Sequence, residues 1–333
     1  MSVTPSLTHG GALEAPSRRR LPWRSVVNKL LGAIVVLWAA ATLCFVLQEL
    51  SPGDPAIAVL GGSGARPTEQ QLEQINEQYG FNDPVLQRYG AFIGNLAQGD
   101  LGTSYQYKQP VTAVIKEQIG PTLVLILVST AMAWVIAVAG TLFTAGRGSF
   151  RSSVGSGVEA FFAGLPQYWL GLVLLVIFSF ELGWFPVTGG TSPDALFLPA
   201  LTLALPLAGF LGQVTRDEFE RGLKQPFAIS ARTRGASESE VRRRHVLRHA
   251  LLPGITLTGW AIGATISGAV LVEVIFARPG LGQVLVNAVS NQDLPVVVGI
   301  TILVALIYVV VNLLVDLLYV IVDPRLRTSA KAA

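Results

Sequence analysis

The chain is short of the residues that hold metals and clusters, with one cysteine (Cys44) and three histidines (His9, His245, His249) among 333 residues. That is too few soft ligands for a zinc cage, an iron–sulfur cluster or a disulfide framework, and redox compartment cannot be read from a single thiol. Charge is scarce too: 14% of residues are charged against 51% hydrophobic, a balance that excludes an ordinary soluble enzyme. No Gly-Lys pair occurs, so the chain lacks the G-x-x-x-x-G-K-[ST] loop that would let it cradle and split a nucleotide itself. Gly61-Gly62-Ser63-Gly64 is glycine-rich without the lysine and reads as a flexible turn. No H-E-x-x-H, G-x-S-x-G or paired-carboxylate arrangement supports a membrane protease or hydrolase. The 34 glycines and 19 prolines form no low-complexity tract and no fixed period, which excludes a disordered chain, a solenoid and a collagen-like repeat.

What the chain has is long apolar runs. A helix needs roughly 20 residues to cross the hydrocarbon core. Six runs of about that length stand out: Leu30–Leu50, Pro121–Ala145, Ala160–Phe180, Leu196–Gln213, Ile255–Phe276 and Val296–Val322. Arg18-Arg19-Arg20 before the first run resembles a twin-arginine signal. The run is longer than a signal-peptide core, however, and its small residues Ala39–Ala41 fall in its middle, so an uncleaved anchor is expected. With the N-terminus inside, 19 of the 24 Lys and Arg fall on the inner side and five (Arg66, Arg88, Lys108, Lys116, Arg278) on the outer. This asymmetry places both termini in the cytoplasm, and it explains the net charge of +3 better than nucleic-acid binding does. The expected fold is therefore all-α and polytopic, with six transmembrane helices, N-in and C-in. Its segments are a disordered cytoplasmic tail at 1–28, a first helix at 29–50, an extracytoplasmic helical loop at 51–120, a membrane core at 121–323 that carries a cytoplasmic loop at 215–253, and a tail at 324–333.

In the outer loop, Thr68-Glu69-Gln70-Gln71 is a capping box followed by Leu72, Ile75 and Tyr79 on one face, and Gly80 is the expected stop. Val85, Leu86, Tyr89, Phe92, Ile93 and Leu96 make a second amphipathic stretch, and Val111, Val114, Ile115 and Ile119 a third just before the second span. These helices are read as a small cap lying at the interface or covering the outer span ends, a reading preferred over substrate contact. Ser51-Pro52-Gly53-Asp54-Pro55 and Gly99-Asp100-Leu101-Gly102 mark sharp bends.

In the inner loop, small residues Ala228, Ser230 and Ala231 precede Gly235, an expected chain reversal. Ser237-Glu238-Ser239-Glu240 is a second capping box that opens a helix closed by Pro253, with Glu238–Arg242 and Glu240–Arg244 as i,i+4 pairs. A helix–Gly–helix element of this kind suits a groove in another protein, while a topology signal or an anionic-lipid contact is the plainer alternative.

Ionisable residues in or near spans are functional candidates because burying them in lipid is costly. Glu49, Glu181 and Asp323 are placed at interfaces, and Glu159 is expected to open span three at a helix N-terminus that tolerates it. Glu273 and Asp316 lie inside spans. Two isolated acids make a thin proton relay, so helix–helix hydrogen bonding is the preferred role, with Asn312 as a partner for Asp316. Gly259, Gly263 and Ser267 form a small-residue stripe along span five that admits another helix, one belonging to a partner subunit being an option. Pro166-Gln167 and Pro206 interrupt spans three and four.

From about Lys29 to Arg327 the chain resembles the B-type permease subunits of bacterial dipeptide/oligopeptide/nickel-class ABC importers. The resemblance rests on ordered signatures: Ser51–Pro55; Tyr79-Gly80-Phe81-Asn82-Asp83-Pro84-Val85; Gly99-Asp100-Leu101-Gly102-Thr103-Ser104; Ala231–Ser237 with Arg244–Pro253; Val272-Glu273-Val274-Ile275-Phe276 and Pro279-Gly280-Leu281-Gly282; and Asn312–Tyr319 before Asp323-Pro324-Arg325. It implies the type I ABC importer permease fold in the bacterial cytoplasmic membrane. It also implies that the inner loop is the family's EAA loop, whose coupling helix enters a groove of the cytoplasmic ATPase, with Ala231, Arg232, Gly235, Ser237 and Glu240 carrying the contact. The EAA positions are Ile229-Ser230-Ala231 here, so the leading glutamate is absent. The implied partners are a second permease subunit in a heterodimer, two ATPase subunits or domains, an extracytoplasmic solute-binding protein and membrane lipid, with no nucleic acid. ATP and Mg would sit on the ATPases, with no cofactor or metal on this chain and no catalytic residue. Short peptides are the expected substrate; nickel is disfavoured because no His lies in a span and Cys44 stands alone. A nickel or other small-solute ABC permease and a proton-coupled secondary transporter using Glu273 and Asp316 are the alternatives.

Overall fold

The computed structural model describes residues 23–50, 55–61, 66–187, 189–190 and 192–322, with the backbone alone at 23–26, 30, 260 and 315–322. Most of the N-terminal tail, the Ser51–Asp54 bend, most of the Gly61–Gly64 turn, the Asp323-Pro324-Arg325 signature and the 324–333 tail lie outside the described residues.

Helices α1 (Trp23–Leu50), α5 (Val111–Thr144), α8 (Pro193–Leu223) and α13 (Leu294–Val322) each contain a stretch long and apolar enough to cross a bilayer. Two bent pairs complete the six expected spans. Helix α6 (Ser149–Ala163) meets α7 (Gln167–Leu174), which runs on through a π-helical segment to Glu181, at 100°. The break falls at Gly164-Leu165-Pro166, where the proline has no N–H to continue the preceding turn and its ψ of 123° is extended. The second pair is Glu238–Gly259 with Ala261–Ile275, bent by 53°; it comprises α10 (Glu238–Glu240), π-helical turns and α11 (Leu247–Ile275).

Several boundaries differ from the sequence reading. The amphipathic stretch from Val111 is not a separate cap helix: α5 runs through Pro121, and its 34 residues reach roughly 50 Å, well past a hydrocarbon core of about 30 Å. Pro206 does not break span four, because α8 passes through both Pro199 and Pro206. Close packing explains the tolerance, since Ala204, Ala208 and Leu211 are buried against Ala133 and Ala137 of α5. Glu159 does not open a helix. Helix α6 begins ten residues earlier, so Glu159 lies beyond the reach of the helix dipole and is buried for another reason, given below.

The membrane core joins α5, α7, α8 and α11 through Leu125, Leu170, Leu203, Ala269, Val272 and their neighbours. At the outer end α12 (Leu281–Ser290) and α13 pack on the start of α5 through Val111, Leu281, Val296 and Ile300. The outer loop carries α2 (Pro55–Val59), α3 (Glu69–Tyr79) and α4 (Val85–Ala97). Both halves of the α3 capping box form, and Gly80 ends it in the left-handed region at φ 66°. Helix α4 covers the outer part of α1: Tyr89 meets the Phe45 ring edge-on and Phe92 packs against it at a tilt, the Tyr89 hydroxyl shares a hydrogen bond with Thr42, and Arg88 pairs with Glu49.

Candidate coupling site and its supports

The inner loop folds as α9 (Pro226–Thr233), a tight turn and α10. Pro226 at the first helical position starts α9, and Gly235, at φ 87°, reverses the chain after it, its N–H donating to the Arg232 carbonyl (2.9 Å). Ala228 and Ala231 face inward on Ala145, Phe219, Val241, Val246 and Ala250. The small side chains thus let α9 sit close to the bundle. Ala231 is only 2% exposed, so it supports the element from beneath. Phe227, Ile229, Thr233 and Arg234 are exposed on the outside.

Arg232 ties the element together. Its Nε and Nη2 donate to Glu238 (2.9 and 3.1 Å) and its Nη1 to the Leu223 carbonyl at the end of α8 (3.0 Å). The carboxylate beside it holds the guanidinium above its usual pKa. Ser237 caps α10, its Oγ accepting from the Glu240 N–H at 3.3 Å, and Glu240 pairs with Arg244 at 3.6 Å. The expected Glu238–Arg242 pair does not form, because Arg242 is only 3% exposed and points to the end of α5. There its Nη2 donates to the carbonyls of Leu142 (3.1 Å) and Ala145 (2.6 Å), and the guanidinium lies 4.8 Å from the Phe219 ring centre.

Beneath the element sits a charge pair that was not found in the sequence. Arg216, which hydropathy places in the inner loop, belongs to α8 and donates from Nε and Nη2 to Glu159 (2.6 and 2.7 Å), and it also bonds Thr144 of α5. Both charged side chains are under 10% exposed. Gly155 and Gly212 make the slot: a Cβ on Gly155 would strike Thr144 and Arg216, and one on Gly212 would press on Glu159. The sequence signal is slight: Glu159 is the one acid of α6, and Arg216 lies just past the apolar run of α8, four residues after Gly212.

At the outer end, Glu273 takes the helix-bonding role preferred for it. Thr122 of α5 donates to its Oε1 (2.6 Å) and the Gly282 N–H to its Oε2 (2.7 Å), while Thr122 accepts from the Leu281 N–H (2.9 Å). Asp293, not singled out in the sequence, accepts from the Ser104 hydroxyl and from the N–H groups of Tyr105 (3.0 Å) and Gln106 (3.1 Å), fastening the outer loop to the start of α13. Arg278 is also buried, donating to the Gly190 carbonyl at 2.6 Å.

Gly263 of the small-residue stripe is used within the chain, because Tyr308 of α13 occupies the place its Cβ would need. Gly259 is buried and Ser267 exposed. Asn312 donates to the Tyr308 carbonyl (2.9 Å), and the Asp316 side chain lies outside the described residues.

Comparison with known proteins agrees with this architecture. The family model "Binding-protein-dependent transport system inner membrane component" matches residues 136–328, and the model of that family's N-terminal part matches residues 23–126. The oligopeptide transport system permease protein AppB of Bacillus subtilis is 36% identical, covering 90% of this chain and 98% of its own length. The glutathione transport system permease protein GsiC of Escherichia coli is 33% identical, covering 91% and 98%. A crystal structure of an amino acid ABC transporter superposes with a TM-score of 0.50 at 15% identity, covering 62% of this chain and 93% of that one, which supports the shared fold. The chain belongs to the family of inner-membrane components of binding-protein-dependent transport systems: it is a multi-pass, non-catalytic permease subunit of an ABC transporter that works in complex with ATPase subunits.

Proposed function

We propose that this chain is one of two permease subunits of a heterodimeric importer and supplies half of the pathway for short peptides. The names of the relatives support a peptide-type cargo, since one transports oligopeptides and the other glutathione. An extracytoplasmic binding protein delivers the cargo to the outer face. Two ATPase subunits or domains, carrying ATP and Mg, dock on the cytoplasmic side.

The observation that carries the coupling role is the seating of α9. Its inner face rests on the ends of α5 and α8 through Ala228, Ala231 and Arg232, and Arg242 of the helix after Ser237 grips the end of α5, while Phe227, Ile229 and Arg234 are exposed. An element held this way passes a push from an ATPase groove into two long spans at once, because its supports are the helix ends themselves. Gly235 sets the direction in which α9 leaves the bundle, and Ser237 starts the return helix. Glu273 belongs to a clasp between helices in this reading, not to a proton relay.

The test is the double variant Ile229→Asp, Arg234→Glu in the reconstituted complex. Membrane insertion and assembly with the second permease are expected to persist, while ATPase co-purification and ATP-driven uptake of labelled di- and oligopeptides are lost. Uptake at the wild-type rate would overturn the coupling role, and uptake of nickel but not peptide by the wild-type complex would overturn the cargo.

A further inference from the structure

A recess between the cytoplasmic end of α5 and the helix that follows Ser237 is lined by Leu142, Phe143, Arg147, Ser239, Arg242 and Arg243. Three of these six residues carry guanidinium groups and none is acidic. Attraction of cations to the negative end of a helix explains part of the arrangement. Arg147 Nε donates to the Leu142 carbonyl (3.1 Å), and Arg242 Nη2 is taken up by Leu142 and Ala145.

It does not explain the rest. The Nε of Arg242 is buried with no acceptor, although buried N–H groups are almost always bonded. Arg243 is exposed and has no ion-pair or hydrogen-bond partner among the described residues. The hydrogen bonds of the nearby acids go elsewhere: Glu238 to Arg232, with its charge also felt by Arg147 and Arg242, Glu240 to Arg244, and Glu220 to Ser152 and the Gly146 N–H. Three guanidinium groups and one hydroxyl thus line a recess whose donors lack a full set of acceptors. At the lip, Phe143 is 68% exposed on the last turn of a membrane-spanning helix, so the recess opens at the cytoplasmic boundary of the bilayer.

We propose that this recess binds a phosphate group, with Arg147, Arg242, Arg243 and the Ser239 hydroxyl donating to its oxygens. Phosphate oxygens are acceptors that suit planar, multiply donating guanidinium groups. An anionic phospholipid headgroup and free phosphate share this chemistry, and exposed Phe143 favours the lipid, whose acyl chain it can meet. The bound group would join the end of α5 to the helix after Ser237 and so brace the coupling element from the membrane side. This inference concerns a different surface from the exposed face of α9 and stands whatever the cargo.

The experiment uses the detergent-purified complex and follows its thermal midpoint and lipid retention by native mass spectrometry. The additions are phosphatidylglycerol, phosphatidylcholine, or sodium phosphate against sodium chloride at equal ionic strength. Stabilisation and retention with phosphatidylglycerol but not phosphatidylcholine would support the site with lipid as its source, whereas an equal midpoint rise with sodium phosphate alone would support it with free phosphate. Either response should vanish in the double variant Arg147→Gln, Arg243→Gln and survive in part in Arg147→Lys, Arg243→Lys. No response of the wild type to either anion would overturn the proposal, as would an unchanged response in the glutamine pair.

Discussion

The two ends of this bundle are fastened by opposite chemistry. At the outer end buried acids accept from backbone N–H groups and hydroxyls: Glu273 from Gly282 and Thr122, Asp293 from Tyr105, Gln106 and Ser104. At the inner end arginines donate to backbone carbonyls: Arg232 to Leu223, Arg242 to Leu142 and Ala145. The first turn of a helix leaves N–H groups unpaired and the last turn leaves carbonyls. Helix α12 starts at the outer side with its Leu281 and Gly282 N–H groups toward Thr122 and Glu273, while α5 and α8 end at the inner side. Where the fastening side chain meets a helix end, its sign therefore follows the polarity of that end, and at the inner side it agrees with the excess of Lys and Arg that orients the chain. Asp293 and Arg278 of the outer end meet loop backbone instead, one N–H groups and the other a carbonyl.

The sharpest way to break the inner fastening is to strand one charge of its buried pair. Glu159→Ala leaves Arg216 unpaired in a site where both side chains are under 10% exposed, and should cost about 3–5 kcal/mol. Replacing both residues with methionine should cost much less, because no charge is then left buried. Thermal unfolding of the three proteins in one detergent checks this; equal losses in the single and double variants would mean that the pair acts through shape alone.

A smaller effect is expected at the outer end. Asp293→Ala removes the acceptor of two loop N–H groups and one hydroxyl, a loss of about 3 kcal/mol. That loss should be local, freeing residues 98–110 while α12 stays clasped by Glu273. Protease added from the outer side of right-side-out vesicles should cut this segment faster, and an unchanged cutting rate would show that the apolar contacts of Val59 and Tyr105 suffice to hold it.

The same contrast explains what could be read from the sequence. The six spans, the α3 capping box with its Gly80 stop, the Gly235 reversal and the helix-bonding role of Glu273 follow from hydropathy, short motifs and the cost of a buried acid. Arg216 and Asp293 were missed because their roles depend on partners 57 and 188 residues away. Local rules also misled. Spacing paired Glu238 with Arg242, but the free carbonyls at the end of α5 gave Arg242 better acceptors and left Glu238 to Arg232. Pro121 reads as the start of a span and Pro206 as an interruption of one, yet tight packing and a long helix carry the chain through both.

The smallest expected effect falls on the turn between the two fastenings of the coupling element. A Cβ on Gly235 would meet nothing within 4 Å, so Gly235→Ala tests backbone conformation alone. At φ 87° an alanine should cost about 1 kcal/mol, too little to unfold a bundle but enough to shift how α9 leaves it. Gly235→Pro should act more strongly, since proline cannot adopt that φ and loses the N–H that donates to Arg232. If the direction of α9 matters for coupling, the alanine variant should assemble normally with its ATPase partners yet transport less cargo per ATP hydrolysed, and the proline variant less still. An unchanged ratio in both would place the coupling contact on the exposed side chains of α9 and leave the turn as a connection only.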